Sequence, residues 1–249
     1  MIRALMLRRI WVWKNQLVPN IFLFFTLPVS VFYFVSLPLK NIMRFSLSDV
    51  PYDIWVFPGL IFIIGSFSIY PSIYRDYFDL RINNKVLINI SLSPYSKKRI
   101  IFSTLVSSLS ESFVMILIST LIYFTLTSIP YSLLTFLFFG ICLSTYLFIL
   151  GNLLIFLSVT IDTLSVMLLG LITIFILVLF GSGFLFELSF YPIVLESILS
   201  WSPFAISFQV FQKFHSTGII AWRSLFGLTI LIYLFITFNG YQLKRKLKQ

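Results

Sequence analysis

Eight acids, one histidine and one cysteine are the carboxylate, imidazole and thiol groups that this 249-residue chain offers for chemistry. Glu111 is the one acid placed deep inside an apolar run. An ionisable side chain at such depth normally faces a bundle interior or a cavity. Two readings are open for it. It is either part of a passage, or a shallower residue hydrogen-bonded by Ser107, Ser108 or Ser110 in the surrounding "SSLSES". His215 stands beside Lys213 with no other ligand-type residue near it, so a solvated loop histidine is expected. Cys142, alone in an apolar run, excludes an intrachain disulfide framework and a cysteine metal site. No glycine is followed by lysine, so the chain lacks a Walker-type phosphate cradle and is not expected to hold ATP itself.

The elements that must position these residues are apolar. With 59% hydrophobic residues and a mean hydropathy of +1.01, the chain carries more apolar surface than one soluble core of its size could bury. A hydrocarbon core of about 30 Å takes roughly 20 helical residues. Residues 20–39, 54–74, 100–129, 131–161, 163–186 and 224–243 each supply such a run, with Glu111 the only charge inside them. The fold class expected is an all-α polytopic membrane protein of six spans. The thirty phenylalanines are read as ordinary lipid-facing residues rather than as the lining of an aromatic conduit.

The net charge of +10 does not point to nucleic acid, because the basic residues lie in short blocks between apolar runs. Fourteen of the eighteen basic residues fall before the first run, between the second and third, or after the sixth. The positive-inside rule then puts both termini in the cytoplasm. The N-terminus is expected to be retained rather than cleaved as a signal peptide. Residues 1–18 carry Met6, Ile10, Trp13 and Leu17 at helical spacing, with Arg8, Arg9, Asn15 and Gln16 directed away from them. That pattern predicts an amphipathic interfacial helix. On the far side, residues 188–195 are too short to span and residues 197–212 contain Pro203, so a pair of short re-entrant helices is expected across 187–215.

The main hydrophilic stretch is "YRDYFDLRINNKVLINISLSPYSKKRI", residues 74–100, read as a cytoplasmic loop. Ile82, Val86 and Ile90 share a helical face, while Val86, Ile88, Ile90 and Leu92 alternate as in a strand, and both readings stand.

The order of these parts resembles the type-2 ABC exporter permeases. "FPGLIFIIG", Phe57 to Gly65, is similar to that family's Pro-Gly segment in the second span. Pro94 and Ser96 are similar to its Pro-x-Ser ahead of the third. Pro192, Ser202 and Pro203, within "GSGFLFELSFYPIVLESILSWSPFAISFQVFQKFHSTG", are similar to its outer segment. The chain departs from the family pattern at Phe186–Glu187 and at Lys213. The resemblance implies one domain over 1–249, working with a second copy or a paralogue in the prokaryotic cytoplasmic membrane. A separate ATPase subunit would carry ATP and Mg, and this chain would bind no cofactor and no nucleic acid. It implies ATPase coupling through Asp79, Arg81, Ile82, Lys85, Val86 and Ile90 with Arg8 and Arg9. It further implies a passage or gate near Glu111, Phe186, Glu187, Pro192 and Pro203. An ion-coupled carrier lacks the expected internal repeats and paired midplane acids, and a lipid-modifying enzyme lacks a cluster of Asp and His.

Overall fold

The computed structural model describes residues 1–43, 45, 51–82, 94–126 and 131–246. Among these residues the chain is mostly helical and has no strand, with six helices long and apolar enough to cross a membrane. In chain order the helices are α1 (Ile2–Asn15), α2 (Leu17–Ile42), α3 (Tyr52–Ile82), α4 (Lys97–Leu126), α5 (Leu133–Thr160) and α6 (Leu164–Gly181). They are followed by α7 (Ile193–Ser200), α8 (Pro203–Thr217) and α9 (Trp222–Lys246). The spans are α2, α3, α4, α5, α6 and α9.

α3 is the axis of the bundle. Its apolar window is 78% buried, against 17% for α2 and 22% for α6, so α2 and α6 leave most of their apolar surface uncovered. Phe62, fully buried at the middle of α3, packs its ring on Phe139 and Tyr146 of α5, on Phe184 and on Phe208 of α8. The centroid distances run from 5.0 to 5.7 Å. These phenylalanines are therefore core and not lipid-facing. Ring-on-ring packing of this kind binds four segments at one point.

Two boundaries differ from the sequence reading. α3 does not end at residue 74. A π-helical turn, Tyr74–Asp79, carries it on to Ile82. Such a turn inserts one extra residue and rotates the helix beyond it. The connecting loop is correspondingly shorter, and Lys85, Val86 and Ile90, with the choice between helix and strand, lie outside the described residues. Pro203 likewise does not break a helix but begins one, at the first position of α8 after Ser202, where its missing N–H costs nothing.

Chain direction defines the two ends of the bundle. Asp162, in the turn between α5 and α6, pairs with Lys246 at the end of α9 at 3.0 Å and with Arg81 near the end of α3 at 2.9 Å. At the other end the Tyr52 hydroxyl donates to the Leu185 carbonyl and Lys40 pairs with Asp53. α6 runs towards that second end and α9 starts from it. The α7–α8 pair, bent by 90°, therefore leaves and returns to the same end instead of crossing. Most of the basic blocks gather at the Asp162 end, as the charge distribution requires.

Candidate functional site

The densest polar assembly joins α1 to α3 and α4 at the Asp162 end, and its hub is Arg9. The Arg9 guanidinium is buried, at 5% exposure, although the helical pattern of α1 directs it outward. That expectation is corrected by the partners waiting inside. Arg9 Nη2 donates to Asp76 Oδ2 at 2.5 Å and to Ser108 Oγ at 2.7 Å. Arg9 Nη1 donates to Ser72 Oγ at 2.7 Å and to Glu111 Oε2, and Nε to Ser107 Oγ at 3.2 Å. All five N–H groups of the side chain are thus engaged. Ile10, on the apolar face expected to meet lipid, is exposed.

Each partner arrives for a local reason. The π turn of α3 widens the helix where Arg75 and Asp76 leave it, bringing Asp76 into the interior at 6% exposure. Ser72 stands one turn earlier. Ser107, Ser108 and Glu111 lie on consecutive turns of one face of α4. Arg8 adds a second ion pair to Asp76 at 2.7 Å, and Arg75 approaches Glu111 at 3.4 Å. Trp13 Nε1 donates to Glu111 Oε1 at 2.7 Å. The serines predicted to hold Glu111 do something else. Ser107 and Ser108 accept from Arg9, the Ser110 hydroxyl donates to the Ser107 carbonyl, and the hydroxyl that reaches Glu111 is that of Ser72, on α3.

Arg81, expected on a partner-facing surface, is occupied within the chain. It donates to the carbonyls of Val159 and Ile161 and pairs with Asp162. It therefore closes the end of α5, whose last carbonyls have no intrahelical partner. A hydrogen bond from Lys246, assisted by the Arg81 charge, holds the Asp162 carboxyl below its ordinary pKa. Asp79 lies in the π turn and Ile82 ends α3.

The outer residues form a separate group at the opposite end. Gly59 of α3 lies so close to the chain after α6 that a Cβ there would overlap the Phe184 carbonyl. This contact joins the Pro58–Gly59 and Gly183–Phe184 segments backbone to backbone. Gly183, at φ +79°, makes the turn that allows it. Phe186 stacks on Phe180 with centroids 6.5 Å apart, and Glu187 begins the short turn Leu188–Phe190. Pro192 precedes α7 and is exposed, and Pro203 opens α8. Glu111 is thus brought together with Arg8 and Arg9, and not with the outer residues. His215, exposed on the last turn of α8, stands edge-on to Tyr131 at 4.9 Å and parallel to Phe211. It belongs to a helix and an aromatic nest rather than a loop.

Sequence reasoning missed Asp76, Ser72 and Trp13 as partners of the hub. The signal available was the unbroken "YRDYFD" after an apolar run, whose charges a helix continuing past residue 74 would carry to one end of the bundle. No family model, curated protein or solved structure matches this chain.

Proposed function

We propose that this chain is the membrane-spanning permease of an ATP-driven exporter of the type-2 ABC kind. It works as a pair of permeases beside separate ATPase subunits that carry ATP and Mg, with both termini cytoplasmic. The observation that supports this best is the continuity of α3. Its inner end is clamped to α1 and α4 through Arg9, Asp76 and Glu111. Its outer half meets the segment after α6 at Gly59 and the α7–α8 elbow at Phe62. A push on α1 or on the connection following Ile82 would therefore act on one continuous helix that reaches the outer elbow. The uncovered faces of α2 and α6 suit a second permease copy.

The buried arginine contacts of Asp76 and Glu111 argue against an ion-coupled carrier, which needs an acid free to change partners. Substrates that suit this reading are a glycan, a lipid-linked compound or a hydrophobic molecule. In the coupling set, Arg8, Asp79, Ile82, Lys85, Val86 and Ile90 remain as partner-facing residues, and Arg9 and Arg81 act behind them.

The test is affinity purification from membranes in mild detergent, followed by ATP turnover of the recovered complex. An ATPase subunit copurifies, and Lys85→Glu lowers turnover severalfold without lowering the yield of this chain. Recovery of the chain with no ATPase, or turnover unaffected by Lys85→Glu and by deletion of α1, would count against the reading.

A further inference from the structure

A cleft of about 470 Å³ lies between the elbow and α9 at the outer end and has no part in the contacts described above. One wall is the face of α8 that carries Pro203, Ile206, Gln209 and Lys213. The other is Ala221 with the face of α9 that carries Ser224, Gly227, Leu228 and Leu231. Spacings of three and four keep each set on one side of its helix. The two helices meet in a hairpin through Gly218, whose φ of +69° ends α8. Lys213 and Ser224 therefore stand near the hairpin, Gln209 one turn in, and Ile206, Leu228 and Leu231 furthest from it.

The slot is graded from charged to apolar along its length. From Trp222 to Leu231 α9 rises about 14 Å, close to the depth of one leaflet of hydrocarbon. Two unmet demands sit on the polar side. Gln209 Nε2 is buried with no hydrogen-bond partner among the described residues, an arrangement that folded proteins seldom leave unfilled. Lys213 is solvent-exposed at the mouth and forms no ion pair among the described residues, and no carboxylate among them lines the cleft. An ammonium and a carboxamide N–H a turn apart are matched by adjacent anionic oxygens.

We infer that this slot holds an anionic phospholipid, its phosphate on Lys213 with the Gln209 carboxamide turned towards it, and the upper part of one acyl chain between Ile206, Leu228 and Leu231. The inference rests on the membrane-spanning part of the proposed function and not on the ATPase. The slot's size suits a headgroup with part of a chain, within the range of small-molecule sites.

The experiment uses the full-length chain, purified in mild detergent and titrated with phosphatidylglycerol, phosphatidylcholine or inorganic phosphate, and read by native mass spectrometry. Phosphatidylglycerol should bind about tenfold more tightly than phosphatidylcholine, and inorganic phosphate should not displace it. The pair Lys213→Ala and Gln209→Leu should weaken phosphatidylglycerol roughly tenfold or more. Gly227→Phe fills the slot from a position where an added Cβ meets only open space, so it should remove the lipid while the melting temperature holds. Equal binding of the two lipids, displacement by inorganic phosphate, or full lipid retention in Gly227→Phe would overturn the assignment. ATP and ATPase are absent throughout, so a negative result here leaves the exporter reading to its own test.

Discussion

Replacing Arg9 by methionine removes five hydrogen bonds and two ion pairs while keeping a side chain of similar length. Two effects oppose each other. Three guanidinium groups share two carboxylates here, so deleting one positive charge relieves repulsion. Arg8 and Arg75 are 36% and 29% exposed, however, and water already screens them, which limits that gain to about 1 kcal/mol or less. Against it stands the loss of the buried partner of Asp76 and Glu111. Breaking one side of a buried pair costs about 3 to 5 kcal/mol. Asp76 keeps Arg8 and Glu111 keeps Arg75, so the lower bound applies. The net expectation is destabilisation by about 2 kcal/mol, equivalent to a fall of roughly 5 °C in melting temperature for a chain of this size. The loss should be local first, with amide exchange accelerating in α1, whose polar attachment is this cluster. The informative control is the triple change Arg9→Met, Asp76→Asn and Glu111→Gln. Removing all the buried charges also removes their desolvation, so the triple variant should recover at least half of the loss. Thermal unfolding in detergent, with hydrogen exchange by mass spectrometry, reads both. An unchanged single variant, or a triple variant no more stable than the single one, would refute the reasoning.

Gly59→Ala should destabilise the bundle by about 1 to 3 kcal/mol, because the new Cβ overlaps backbone rather than a movable side chain. Gly140→Ala, where a Cβ meets nothing within 4 Å, should leave stability unchanged or raise it by up to about 1 kcal/mol, and paired melting curves test the contrast. Arg81→Gln should loosen the end of α5 by about 1 kcal/mol, seen as faster amide exchange around residues 157–163. Asp162 has a depressed folded pKa, so its contribution is present above its unfolded value, near pH 4, and is lost as pH falls through the lower folded value. With Asp162 61% exposed the effect is small, and a melting series from pH 6 to pH 3 should show a decline that Asp162→Asn lacks.

The number of spans and the sorting of charge to one end were legible because each is carried by unbroken runs. A run of about twenty apolar residues has few ways to be satisfied other than as a helix in lipid. The hub was not legible, and α1 shows why. Its amphipathic pattern, read alone, sends Arg9 outward, since a lone guanidinium on an apolar face is costly. What reverses that judgement lies 67 and 102 residues away, in Asp76 and Glu111, and no local periodicity records it.

The same logic explains why the loop reads too long in the sequence. Charges at residues 75, 76 and 79 read as solvent-exposed when each is counted as a cost, and Asp76 becomes an interior residue once Arg8 and Arg9 are counted as its partners. In the outer slot the relation runs the other way. Gln209 has no partner within the described chain to account for its place, and a buried amide N–H left unpaired is costly. Where an internal partner explains a buried polar group, as for Arg9, the group serves the fold. Gln209 has no such partner, and its place in the wall of the graded slot is what leaves it to the anionic amphiphile inferred above.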